Sequence, residues 1–486
     1  MSNNGKSYRP YEPDQMFLLP PSLRDWLPSD HLVYFISDVV DSLDLGEITF
    51  FYEKESRGNP PYHPSMMVKI LLYAYCIGVP SSRRIAKRLK EDIGFRVLSA
   101  NNTPDFRTIS DFRKIHLEAL KGLFIQVLRL CQKAGLVKLG HVSLDGTKIK
   151  ANASKHKAMS YGRMKSAEEH LTKQIEELLK RAEEVDVEED IRYGYNKTGD
   201  ELPQELVLRE SRLKKIREAK AALEEEARQV AEEKLKAQRE GESKRERRKS
   251  KKKLLLVESE MEGEEECREV IPKDKAQRNF TDPESRIMKS ADKSFIQAYN
   301  CQAVVDAESQ IVVGCDLTNQ AGDRALIKPM MKQVEENCKK LPKELSADAG
   351  YFSEVNLTYL SEKGIEAYLP PDKQRHTDPV APAPRGRIPK NLSLKERMRR
   401  KLRTNKGRRA YAKRKATVEP VFGQQKQARG FRQFLMRGLK KVETEWSLIC
   451  TTHNILKLWR WEISFPGRAG KTKQRSLLGL ATASLG

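Results

Sequence analysis

The stretch that decides the fold is His141-Val142-Ser143-Leu144-Asp145-Gly146-Thr147. Val142 and Leu144 alternate with polar neighbours, the period of a half-buried strand, and Asp-Gly marks its end. Residues before it carry helical periodicity. Residues well after it alternate between strand and helix. The strand therefore opens an α/β unit that follows an all-helical one.

Toward the N-terminus, residues 1–135 read as one helical domain. Val33, Ile36, Val39, Val40 and Leu43 share a face of a helix expected over 31–43. Pro60, Pro61 and Pro64 precede a helix over 65–77, and a short basic amphipathic helix over 81–89 starts at a serine cap. Asn101 to Asp105 makes a turn, and a single helix is expected over 108–134. Short basic helices joined by tight turns are compatible with helix-turn-helix DNA binding, and equally with a bundle whose Lys and Arg are merely solvated.

Toward the C-terminus the composition changes abruptly. Residues 165–270 hold 25 Lys or Arg and 30 Asp or Glu, a net charge of 25 − 30 = −5. Leu171, Ile175 and Leu178 mark one amphipathic helix, and Leu213, Ile216 and Leu223 a second. The turn-rich stretch 193–200 lies between them, so an antiparallel helical hairpin is expected, followed by a basic run (244–253) and an acidic one (258–269). Strand signals then resume over 298–305 and 310–317. A helix over 323–339, a strand over 345–348, a helix over 354–363 and a strand over 365–369 follow. Further helices are expected from about 418 and over 439–461, with a polar tail after them. The order is strand, long insertion, two strands, helix, strand, helix, strand.

The chain has 486 residues, 91 Lys plus Arg and 68 Asp plus Glu, a net +23. That length corresponds to roughly three structural units, and the surplus charge implies a polyanionic partner. The charge is concentrated: residues 385–415 carry fifteen Lys or Arg against Glu396 alone, 15 − 1 = +14 of the total. The first twenty residues have no apolar core, so no signal peptide is expected, and no apolar run is long enough for a membrane span. Seven scattered cysteines without C-x-x-C argue against a zinc site or a disulfide framework, and fit a reduced, cytosolic protein. The absence of G-x-x-x-x-G-K-[ST] argues against an NTP-driven motor.

Three acids stand out by position. Asp145 ends the first strand, Asp348 ends the strand over 345–348, and Glu419 is expected to open a helix. Asp306, Asp316 and Asp323 lie on or beside strands too and read as turn and cap residues. Carboxylates from adjacent strand ends and a nearby helix repel one another unless protonated or metal-bound. Hard oxygen donors suit Mg²⁺ or Mn²⁺, and a pair of such ions suits in-line attack on a phosphodiester. Trp446, Trp459 and Trp461 read as core residues before they read as base-stacking ones.

These motifs resemble, in the same order, those of prokaryotic DDE insertion-sequence transposases. Asp145 to Ser154 resembles the family's first-Asp motif, Tyr299 to Asp306 its second strand, and Ala347-Asp348-Ala349-Gly350-Tyr351 its second-Asp motif. Tyr411, Arg414, Glu419 and Lys426 resemble its Tyr-Arg-Glu-Lys signature, with four residues between Arg414 and Glu419 where the signature has three; Lys415 would restore that spacing. The resemblance implies an RNase H-like catalytic core, a mixed five-stranded sheet with helices, interrupted by the charged hairpin. It places the domains at 1–135 (helical, DNA binding), 136–160 (start of the core), 161–275 (insertion), 276–465 (rest of the core) and 466–486 (tail). It implies Asp145, Asp348 and Glu419 as catalytic metal ligands for two Mg²⁺ ions, with Mn²⁺ as a substitute. Tyr411, Arg414 and Lys426 would contact DNA near the cut. The activity implied is cleavage at the element's ends and 3′-hydroxyl strand transfer, by a homodimer on double-stranded DNA (inverted repeats and target), in the prokaryotic cytoplasm at the nucleoid. Alternatives are a metal-dependent nuclease of the same fold and a non-catalytic DNA-binding regulator.

Overall fold

The computed structural model describes residues 22–54, 60–193, 204–250, 271–290, 292–372, 382–386, 389 and 391–464. Most of the turn-rich stretch expected at 193–200, the acidic stretch 258–269 and the tail 466–486 lie outside them.

Among the described residues a short 3₁₀ turn (Leu23–Trp26) is followed by seven α-helices: α1 (Leu32–Asp41), α2 (Gly46–Glu53), α3 (Pro64–Cys76), α4 (Ser82–Glu91), α5 (Ile93–Ser99), α6 (Phe106–Ile115) and α7 (Leu117–Lys133). α3 is apolar nearly all round and sits at the centre, whereas α4 buries only Ser82, Ile85 and Leu89. Asp92 and Asp105 cap α5 and α6 by accepting backbone N–H bonds. The single helix expected over 108–134 is in fact two. His116 leaves helical geometry between them, its ring packed beside Phe112 and bonded to the Tyr52 hydroxyl at 3.1 Å.

β1 (His141–Lys150) follows, then β2 (Ala158–Ser160), α8 (Tyr161–Tyr193), α9 (Gln204–Ser250), β3 (Gln277–Asn279) and β4 (Arg286–Lys289). β2 and β3 pair antiparallel, Ser160 opposite Gln277, so the chain leaves for the α8–α9 pair and returns from it side by side. The pair has its own small core, including Met164, Leu171, Ile216 and Leu223. Glu226 of α9 accepts from Arg278 (2.5 Å) and Arg286 (2.7 Å) beside its root.

The remaining elements are β5 (Phe295–Asp306), β6 (Val312–Thr318), α10 (Ile327–Cys338), β7 (Glu344–Ser346), α11 (Glu354–Glu362), β8 (Glu366–Tyr368), α12 (Leu394–Arg403), α13 (Asn405–Gly423) and α14 (Leu439–Ser464). The sheet runs β4-β5-β1-β7-β8, with β6 also on β5. β5 is antiparallel to β1, β4 and β6; β7 and β8 run parallel to β1. The mixed sheet thus has six strands among the described residues where five were expected. β4 is the addition, pairing with the start of β5, while β6 pairs with its later part. α14 packs against α3, α7 and β6, so one hydrophobic core joins the N-terminal helices to the sheet. Trp446 lies fully buried in it and donates to the Gln302 carbonyl at 3.1 Å. No described helix is long and apolar enough to cross a membrane.

Several boundaries differ from expectation: β7 ends at Ser346, so Asp348 lies past the strand it was expected to end. β1 continues five residues past Asp145 because β5 pairs with it as far as Lys150. α10 begins at Ile327, leaving Asp323 in the loop before it. Glu419 does not open a helix: α13 starts at Asn405 under a Thr404 cap, and Glu419 sits in its last turns.

Candidate active site

The site grows out of the β1–β7 register. His141 stands beside Glu344 and Ser143 beside Ser346. Alternate strand residues share a face. His141 Nδ1 is 2.9 Å from Glu344, its Nε2 is 3.0 Å from Ser346 Oγ, and the two serine hydroxyls are 2.9 Å apart. Two residues further along each chain come Asp145 and Asp348. A ladder of hydrogen-bonded polar pairs therefore leads up to two carboxylates. Asp348 lies just past β7, where its side chain accepts from the Gly350 N–H at 2.8 Å.

α13 crosses this face. Arg414 donates to Asp145 Oδ2 at 2.6 Å, and its other terminal nitrogen is 3.6 Å from Glu419 Oε1. The Arg414 and Asp145 side chains are 14% and 16% exposed, that of Glu419 51%. Burial pushes the Asp145 carboxyl up to about 6; Arg414 pulls it back, while Asp348 and Asp323 push it further up. The Arg414 guanidinium lies 5.9 Å from the centroid of the Tyr411 ring. Lys426 falls on a π-helical turn (Gln424–Ala428) that follows α13. Its ammonium donates to the Lys148 carbonyl at 2.9 Å. Asp145, Asp348, Tyr411 and Arg414 thus come together, Glu419 joins them through Arg414, and Lys426 is held three residues along β1.

Among the described residues, no three His, Cys, Asp or Glu side chains converge on one metal position. The donor chemistry nevertheless fits a hard cation. Asp145 and Asp348 repel each other, and the positive charge between Asp145 and Glu419 comes from the Arg414 guanidinium.

The hydrogen-bond network beside the carboxylates escaped sequence reasoning, which read Asp323 as a turn or cap residue and Asn300, Gln302 and Tyr351 only as parts of motifs. Asp323 accepts from Asn300 Nδ2 (2.7 Å) and Gln302 Nε2 (3.1 Å), with Lys148 Nζ 3.5 Å away. Tyr351 donates its hydroxyl to Gln302 Oε1. A Cβ on Gly146 would meet the Gln302 amide nitrogen and displace it from its bonds to Asn300 and Asp323. The available signal was Asn300 and Gln302 themselves, two amides within the otherwise apolar run 298–305.

Comparison with known families gives two matches. Residues 21–115 match a family described as Transposase domain (DUF772), and residues 269–455 match the Transposase DDE domain. Asp348, Tyr411, Arg414, Glu419 and Lys426 fall inside the second match; Asp145 lies between the two. No curated protein and no solved structure matches the chain.

Proposed function

Since the chain is an insertion-sequence transposase of the DDE type, an enzyme that acts on DNA phosphodiester bonds, we propose that it cuts double-stranded DNA at the element's ends and joins the freed 3′-hydroxyl to target DNA. The observation that carries this reading is the meeting of Asp145 and Asp348 at neighbouring strands, with Arg414 linking Asp145 to Glu419.

Asp145, Asp348 and Glu419 are the residues that would hold Mg²⁺, or Mn²⁺ in its place. Bound there, divalent ions would supply positive charge to activate the attacking oxygen and stabilise the leaving one. The β1–β7 ladder fixes the two aspartates on a rigid sheet, which favours in-line positioning. Arg414 matches a phosphate with two parallel donors, Lys426 offers a point charge, and Tyr411 flanks the guanidinium. These three residues are assigned to DNA near the cut. No covalent enzyme intermediate is required, so no nucleophilic Ser or Tyr is needed.

The organisation proposed is a helical DNA-binding part (1–135), a catalytic core (136–160 and 276–465) and an inserted helical arm (161–275). Joining two ends to one target requires both ends to be held at once, so the working form on DNA is at least a homodimer. The workplace is the prokaryotic cytoplasm, at the nucleoid.

The test is an in vitro reaction with a duplex bearing the inverted repeat that flanks the coding sequence, a target plasmid and Mg²⁺. Joined products are expected, and Asp145→Ala or Glu419→Gln should abolish cleavage while end binding persists. Cutting without joining would favour a nuclease. Wild-type cutting by either variant would refute the site.

A further inference from the structure

Two adjoining hollows, of about 460 and 360 Å³, lie between the N-terminal helices and the loop ahead of α14, and both are lined by Ser110, Arg113, Lys114 and Leu435. One wall is α4 with α6. There Arg83 and Arg107 place their guanidiniums 5.3 and 5.8 Å from the ring centroid of exposed Phe106. The other wall carries Arg437 and Lys441.

Basic side chains outnumber acidic ones here: Asp111 lines the larger hollow, and Asp105 and Asp282 act on Arg107 and Arg437 from beyond ion-pair distance. Among the described residues Arg83, Arg107, Arg437 and Lys441 have no carboxylate within ion-pair distance. Their neighbours do: Arg88 pairs with Asp92, Lys114 with Asp111 and Lys440 with Glu118. Like charges across a groove repel one another until an anion enters. The aromatic contact steadies the two arginines, and a steadied guanidinium grips a phosphate with less loss of side-chain freedom.

The groove is also tied to the catalytic strand. Phe434 N–H donates to the Lys150 carbonyl (2.9 Å), Lys150 N–H to Arg432 (3.2 Å), Asn152 Nδ2 to Leu435 (2.7 Å) and Arg437 Nε to Asn152 (2.9 Å). Asp145 and Lys150 are five strand steps apart, about 17 Å at ~3.3 Å per residue. That span matches about five base pairs at ~3.4 Å each.

We propose that this groove holds the sugar-phosphate backbone of the duplex being cut, starting about five base pairs from the cut. The inference rests on the transposase reading and deepens it. The terminal DNA is gripped jointly by the N-terminal helices and the loop fastened to β1, so binding register and cutting position are set by one rigid unit.

The experiment uses the full chain and a duplex carrying the flanking inverted repeat, without divalent metal. Binding is measured across a salt series, with phosphate-ethylation interference on the same duplex. The Arg83→Ala/Arg107→Ala variant should bind about tenfold more weakly, and its salt slope should fall by about two. Lys441→Ala should lower the slope by about one. Arg83→Lys/Arg107→Lys should recover the slope. Interference should begin about five base pairs from the cut. The altered side chains are exposed, and melting temperatures equal to the wild type keep folding out of the comparison. An unchanged affinity and slope in the alanine variants, with wild-type binding intact, would overturn the groove and leave the transposase reading standing. A wild-type chain that neither binds nor cuts the duplex would overturn both.

Discussion

Asp323 illustrates chemistry set by one residue. Its carboxylate gathers the Asn300 and Gln302 amides, and Gln302 in turn receives the Tyr351 hydroxyl three residues after Asp348. The network braces both aspartate-bearing segments from below. Asp323→Ala removes the one oxygen, Oδ1, that accepts from both amides. Losses of ten- to a hundredfold are typical when such a supporting partner is removed. Single-turnover cleavage should fall by roughly that factor, while end binding without metal stays unchanged. A wild-type cleavage rate would reduce Asp323 to a loop residue. Arg414 decides a question that spacing left open: it, and not Lys415, reaches Asp145 and Glu419.

At the scale of elements, α13 and α14 show how helices complete a sheet. Pro420 lacks the N–H that would bond the Ala416 carbonyl, and Gln310 Nε2 donates to that carbonyl instead at 2.9 Å. The helix can therefore carry Glu419 next to a proline. On α14, Asn454 bonds both the N–H and the carbonyl of Val312 at 2.8 Å, covering the outer edge of β6. Beside it, His453 is buried and its Nε2 bonds the Gln310 carbonyl at 2.9 Å. Burial first, then nearby Arg429, lowers its pKa to about 3. The folded state excludes the proton that the unfolded chain accepts below about 6.5. Stability should therefore fall as pH drops from about 6.5 toward 3, by up to about 1.4 kcal/mol per unit from this group. Denaturant melts from pH 7 to 4 should show a shallower decline for His453→Gln; an identical decline would assign the acid sensitivity elsewhere. β1 was legible from the alternation of Val142 and Leu144, and β5 and β6 as short, mostly apolar runs that the fold buries almost throughout. The start of α13 was not, because residues 405–416 are basic and largely solvated, with little apolar period to read. Asp145, Asp348 and Glu419 were visible as motif positions. The Asn300–Gln302–Asp323 network was not, because it joins segments that meet only in the folded sheet.

At the scale of the whole molecule, the joint between the N-terminal helices and the catalytic half is a packed seam. Gly78, in left-handed backbone geometry, lies so close to the Arg429 carbonyl that a Cβ would clash. Motion of α3 therefore cannot be independent of the segment joining α13 to α14. The α8–α9 pair stands in contrast: among the described residues it meets the rest through β2, β3 and the ion pairs of Glu226 with Arg278 and Arg286. Ser160 and Gln277 face each other at its root. Replacing 161–276 with Asn-Gly, the favoured two-residue hairpin turn, should close β2 onto β3. Calorimetry should then show a single cooperative transition near that of the full chain, whereas loss of the transition would mean the pair is part of the folding unit. Such a root acts as a splice point. A lineage, or an experimenter, can lengthen, shorten or exchange the arm there without shifting any register in the sheet that carries Asp145.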